Sequence, residues 1–170
     1  MTTLQGAHVT LRPPTEADVP ELARIRATEQ VQRWWRGGDD MMVAVTEDLA
    51  QPDVETFVIE HMNRVAGAIQ WQAETDPDYL HASIDIYLDP ALHHRGLGSD
   101  AIRALARHLI VDLGHHRLVI DPAADNRAAI NCYTRVGFKP VGVMRQYELG
   151  LDGAWHDGLL MDLLADELIG

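Results

Sequence analysis

One mixed α/β domain is predicted from three features of the 170-residue sequence. The hydrophobic period alternates along the chain between two and three-to-four, so strands and helices interleave. The clearest helical stretch is bracketed by strand-like stretches. The one that follows it, around Leu118 and Ile120, is short and wholly apolar, as expected for a strand covered on both faces. The length suits a single domain with a real core, and neither an internal repeat nor an interdomain linker interrupts residues 1–170.

Taken in order, residues 8–12 read as a first strand stopped by Pro13 and Pro14. Thr15 then caps a helix with Glu16 and Asp18 in its first turn, continued by Leu22, Ile25 and Arg26 to about residue 28. Residues 31–38 are of a different kind, with adjacent Trp34 and Trp35 followed by Gly37 and Gly38. A second short helix over 43–50 closes before Pro52. Strands over 55–61 and 65–74 join in a hairpin at Asn63 and Arg64, and a loop covers 75–78. The strand over 81–88 sets Ile84, Ile86 and Leu88 on one face and Asp85 and Tyr87 on the other. After Asp89 and Pro90 comes a helix whose Ala101, Ile102, Leu105, Leu109, Ile110 and Leu113 recur at three and four, ended by Gly114. A strand over 118–120, a helix over 126–136 closed by Gly137, and strands over 141–149 and 155–164 around Asp152 and Gly153 complete the chain.

Composition mainly excludes. Fourteen basic against 26 acidic side chains give a net charge of −12, which argues against nucleic acid or an anionic membrane and suits a cationic partner, or solubility alone. No apolar run is long enough to span a bilayer, and the N-terminus lacks the basic-then-apolar order of a signal peptide. The single cysteine, Cys132, forms no internal disulfide and no zinc-ligand cluster is present, so a reducing cytoplasm and no metal are expected.

The strand, then His93, His94, Arg95, Gly96, Leu97, Gly98 and Ser99, then a helix, is an arrangement suited to an anion. Glycines allow close backbone approach, and the first N–H groups and dipole of the helix favour negative charge. Neither a third glycine three residues on nor a GKS/T sequence follows, which excludes the dinucleotide and P-loop fingerprints. Further on, Asn126, Ala129, Tyr133, Gly137 and Phe138 stand at the spacing N-x-x-A-x-x-x-Y-x-x-x-G-F. Together these segments resemble the pyrophosphate loop and signature helix of GNAT acetyltransferases, with His93 where that family carries Gln or Arg.

The resemblance implies a mixed, mostly antiparallel sheet, splayed between the fourth and fifth predicted strands and covered by helices on both faces. It implies acetyl-CoA as co-substrate, its pantetheine arm along Ile86, Tyr87 and Leu88 and its phosphates on residues 93–99. Asn126 would contact the pantetheine, or serve only as a helix cap. Tyr133 would protonate the departing thiolate, or serve only as a core tyrosine. Transfer to an amine also needs a proton acceptor. Asp85 interrupts an apolar strand and is the first candidate; Asp121, before Pro122, is the second. A solvent-facing strand residue and a turn residue are their plainer readings.

Trp34, Trp35 and the glycine pair, the Ile84–Asp85 pair, and Asp121 with Pro122 are similar to segments of aminoglycoside 6'-N-acetyltransferases. That resemblance implies a cationic aminoglycoside acceptor; by residue type, Trp35, Tyr79, Asp76, Asp85, Asp121 and Asp157 could supply its binding groups, in a monomer or homodimer. Carboxylates would meet ammonium groups and an aromatic face would meet rings, unless the tryptophans are core. Residues 11–18 resemble ribosomal-protein N-acetyltransferases equally well, so protein N-termini or another small amine form the alternative acceptor. A non-catalytic acyl-CoA sensor is the reading outside catalysis.

Overall fold

A computed structural model describes residues 2–170; Met1, the first residue of the predicted domain, lies outside the described residues. The elements run β1 (Leu4–Gln5), β2 (Thr10–Arg12), α1 (Val19–Arg26), α2 (Glu29–Gln32), α3 (Met41–Leu49), β3 (Glu55–His61), β4 (Arg64–Glu74) and β5 (His81–Leu88). They continue with α4 (Leu97–Arg107), β6 (Arg117–Ile120), α5 (Arg127–Thr134), β7 (Lys139–Leu149) and β8 (Trp155–Leu164). The eight strands form one sheet in the order β1-β2-β3-β4-β5-β6-β8-β7. Every neighbouring pair is antiparallel except β5 with β6.

Helices cover both faces, and the sheet's alternation sorts the core accordingly. Leu11, Ile69, Ile84 and Leu118 pack with Ile102 and Leu105 of α4 on one face, joined by Tyr133 of α5. Val58 and Ala68 pack with Leu22 of α1 and Val45 of α3 on the other. Full burial of a Leu or Ile contributes about 1.5–3 kcal/mol, so these two clusters fix which face each helix takes.

Three local differences from the sequence expectation have physical causes. The first predicted strand, over 8–12, is shortened to Thr10–Arg12 and an unpredicted strand, Leu4–Gln5, precedes it, because the buried Asp100 carboxylate on α4 accepts the N–H groups of Ala7, His8 and Val9 at 2.8, 2.7 and 3.0 Å. Those donors are thereby withheld from a sheet ladder. The predicted helix over 15–28 starts as a 3₁₀ turn, Glu16–Asp18. There Asp18 accepts the Thr15 N–H at 2.7 Å and both Arg12 guanidinium nitrogens, which hold its carboxyl down to about 2. The third is at the end of α4, which passes into a π turn, His108–Asp112. The wider turn rotates Leu113 off the buried stripe and leaves it 48% exposed.

The splay that matters for function lies between β5 and β6. They pair only at Ala82↔Leu118 and Ser83↔Val119. Beyond that the chain follows β8 instead: the Pro122 carbonyl accepts the Leu159 N–H and Ala123 bridges Gly158. Pro122 has no N–H to offer β5, and residues 84–88 have no ladder partner in β6.

Candidate active site

A cleft of about 1090 Å³ passes through this gap. On the α4–α5 side its lining includes Gly96, Gly98, Ser99, Asn126 and Tyr133; on the other it includes Trp35, Gln70, Asp85, Asp121 and Glu148. The two halves meet where Ile86 and Leu88 turn toward α4 and α5 while Asp85 and Tyr87 turn away.

The loop before α4 is shaped for an anion. Gly96 has φ +78°, a left-handed conformation that glycine adopts without strain, and open space lies where its side chain would be. Gly98 stands close to its neighbours: a Cβ there would meet Cys132 Sγ and Leu88 Cδ1 at 3.3 Å. The 11-residue α4 begins at Leu97, so its unpaired N–H groups face the cleft between these glycines. His93 is tied back to β5, with Nε2 3.2 Å from the Leu88 carbonyl oxygen. His94 is held at φ +62°. Arg95 is exposed on this loop and is not among the cleft residues. Asn126 caps α5, its side-chain oxygen accepting the Ala129 N–H at 3.2 Å while still bordering the cleft.

Tyr133 is buried, and burial raises its phenol above the ordinary tyrosine range, which keeps it protonated. Cys132 is likewise raised by burial, with Sγ 3.2 Å from Ser99 Oγ. Asp85 behaves differently. It lines the cleft and is exposed to solvent there, although protein crowds around the carboxyl. Burial pushes its carboxyl up to about 6, and the Asp121 and Glu148 carboxylates push the same way. The Gln70 amide opposes them weakly, 3.5 Å away on the paired strand. Asp121 accepts a 2.6 Å hydrogen bond from the Tyr147 hydroxyl. That carboxylate, with burial, holds the Tyr147 phenol up to about 12.

Trp35 lines the half of the cleft away from α4 and α5, its ring 4.9 Å from Tyr87, edge to face. The structure does not bring Asp76, Tyr79 or Asp157 to this cleft. Asp76 sits in the exposed β4–β5 loop and accepts the Asp78 N–H, and Tyr79 is 71% exposed beside it. Asp157 accepts the Gln146 N–H at 2.8 Å and so shapes β7. Sequence reasoning missed Gln70, Tyr147 and Glu148. Gln70 was legible as the residue opposite Asp85 in a hairpin register. Tyr147 and Glu148 reach the cleft through an irregularity between Met144 and Glu148 that no alternation pattern predicts.

The same fold is found in solved acetyltransferase structures. Over 99% of this chain and 90% of the other, the fold superposes on Mycobacterium smegmatis RimJ in complex with CoA-disulfide, TM-score 0.87 at 23% identity. It also superposes on AAC(6')-Ib in complex with paromomycin and acetyl-CoA, TM-score 0.77 at 26% identity over 94% and 95% of the two chains. The chain belongs to the GNAT acetyltransferase family, whose domain model matches residues 8–139. It is 30% identical over 156 residues to an aminoglycoside N(6')-acetyltransferase type 1 of Klebsiella pneumoniae, covering 80% of this chain and 76% of that protein. GNAT acetyltransferases use acetyl-CoA, and the open glycine cradle, the α4 N-terminus and the free β5 edge fit its phosphates and its linear amide arm.

Proposed function

We propose that this protein transfers the acetyl group of acetyl-CoA to a primary amine of an aminoglycoside, with the 6'-amine as the position acetylated. The observation that carries the reading is the acidic acceptor half of the cleft. Asp85, Asp121 and Glu148 line it, and none forms an ion pair with a basic side chain among the described residues. Three uncompensated carboxylates beside an aromatic wall suit a polycationic sugar. The likeness to aminoglycoside 6'-N-acetyltransferases supports the same acceptor.

Acetyl-CoA supplies a thioester carbonyl and a thiolate leaving group. His93, His94, Gly96, Leu97, Gly98 and Ser99 hold the phosphates, the backbone of Ile86, Tyr87 and Leu88 orients the amide arm, and Asn126 borders it. Asp85 attracts the ammonium group and accepts its proton, directly or through one water, leaving a lone pair free to attack. A carboxyl raised to about 6 is a stronger base than an ordinary aspartate and is still ionised at neutral pH. Tyr133, on the opposite side of the gap, donates its proton to the departing sulfur and is then reprotonated from solvent. Asp121, held by Tyr147, pairs with the substrate's positive charge.

An amine panel incubated with acetyl-CoA and read by product mass tests this reading. Acetylation of 6'-amino aminoglycosides, and not of their 6'-hydroxy analogues, is expected. A second acceptor class, protein N-termini, is favoured by residues 11–18. Acetylated peptide with untouched aminoglycoside would establish it instead, and no turnover of any amine would point to an acyl-CoA sensor.

A further inference from the structure

Arg26, at the end of α1, is 2% exposed although it is a charged side chain with no contact to the phosphate loop. Its guanidinium pairs with Asp48 of α3 and donates at 2.5 Å to the Arg36 carbonyl oxygen, in the loop that carries the tryptophans. It also lies 5.8 Å from the Trp35 ring centroid and 5.9 Å from that of Tyr87, so it touches both partners of the aromatic pair on the acceptor side. Gly37 makes room for this: a Cβ there would meet Met41 Sδ at 2.7 Å and Arg26 Nη2 at 3.3 Å. Arg36 then donates to the Leu149 carbonyl oxygen at the end of β7. One guanidinium therefore joins α1, α3, the tryptophan loop and β5, and through that loop the strand carrying Tyr147 and Glu148.

A buried charge held this way is poorly explained as a contribution to stability alone. Burying an ion pair gains little over well-packed apolar side chains, and the Arg26 Nε has no hydrogen-bond partner among the described residues. What a fixed planar cation does well is orient aromatic rings and a carbonyl at once. We propose that Arg26 is a positioning residue for the acceptor: it sets the plane of Trp35 and the course of the 35–38 loop, and thereby selects which amines the acidic half of the cleft accepts. The proposal rests on that half being the acceptor site.

Arg26→Lys and Arg26→Met test it, with steady-state kinetics on both substrates. Acceptor KM rises by about tenfold while acetyl-CoA KM stays within about twofold, the split that distinguishes acceptor positioning from general loosening. In a Trp35→Leu background the further cost of Arg26→Lys to acceptor KM falls away, because the two act as one unit. Acrylamide quenching of tryptophan fluorescence is the acceptor-independent arm: it increases in Arg26→Lys, and the increase vanishes in a Trp35→Phe background. If Arg26→Met does not fold, Arg26→Lys and Asp48→Asn carry the experiment, the latter leaving the guanidinium in place without its anion. Unchanged acceptor KM and quenching in folded Arg26→Lys, an equal rise in both KM values, or additive effects with Trp35 would overturn the proposal. If the wild type acetylates no aminoglycoside, that acceptor assignment fails and the selecting role of Arg26 with it, while the quenching result still decides whether Arg26 holds Trp35 in place.

Discussion

Tyr147 donates a 2.6 Å hydrogen bond to Asp121, joining the irregular stretch of β7 to the point where β6 has left β5. This contact gives the two cleft carboxylates different surroundings. Asp121 has a committed donor, whereas Asp85 has only the 3.5 Å amide of Gln70 and is pushed up to about 6. A bound, oriented carboxylate suits charge recognition, and a loosely hydrogen-bonded one of raised basicity suits proton transfer.

Tyr147→Phe accordingly removes the donor and leaves Asp121 free to turn. We expect acceptor KM to rise by about three- to tenfold, the loss typical of one ordinary hydrogen bond, with acetyl-CoA KM unchanged. Initial rates over both substrate concentrations check this. An unaltered acceptor KM would remove Tyr147 from the acceptor site.

The phosphate cradle predicts a different pattern. Gly98→Asp puts a negative charge and a Cβ 3.3 Å from Cys132 Sγ and Leu88 Cδ1 at the start of α4. Gly96→Val forces a β-branched residue to φ +78°, at a cost of about 1–2 kcal/mol. Both are expected to weaken coenzyme A binding in calorimetry by tenfold or more in order of magnitude while the acceptor site persists. Native affinity in folded variants would move the phosphates elsewhere.

Tyr133→Phe keeps the ring's packing and removes only its proton. Turnover is expected to fall by about ten- to a thousandfold with coenzyme A affinity retained. The measurement is kcat beside a direct binding constant, and a full-rate variant would return Tyr133 to a packing role.

Asp100 is a residue whose importance the sequence did not reveal. Its three backbone donors lie more than 90 positions away, and Gly6 is so close that a Cβ would meet Asp100 Oδ2 at 2.5 Å. Asp100→Ala leaves those N–H groups without their acceptor, and we expect a loss of about 1–3 kcal/mol, roughly 2–10 °C in Tm. An unchanged melting curve would show that water replaces the carboxylate at no cost.

What was legible in the sequence follows the range of the interactions involved. The bounds of β5 and β8 and the hairpin at Asp152 and Gly153 rest on alternation and turn chemistry, which are local, and they agree with the structure. The family resemblance carried by the Gly96 loop and the Asn126–Tyr133 helix implies one shared cofactor site, and all three residues line the cleft. Asp76, Tyr79 and Asp157 were chosen by residue type, and tertiary placement carried them elsewhere. The shortening of the first predicted strand by Asp100, the reach of Tyr147 to Asp121 and the enclosure of Arg26 all depend on partners distant in the chain. No period or motif encodes such pairs.

The pH dependence of kcat/KM for a 6'-amino aminoglycoside, compared between wild type, Asp85→Asn and Asp121→Asn, tests the central claim most directly. A base works when deprotonated, so a carboxyl raised to about 6 leaves the wild type weak below that pH and active above it. The account predicts an acidic limb centred near pH 6 in the wild type, distinct from the amine's own titration at higher pH. Asp85→Asn loses that limb together with turnover and acceptor affinity, while acetyl-CoA binding survives. Asp121→Asn keeps the limb, moved to lower pH because the Asp121 charge no longer raises Asp85, and loses chiefly acceptor affinity. An Asp85→Asn enzyme that retains the limb, beside an Asp121→Asn enzyme that lacks it, would contradict the account and make Asp121 the base.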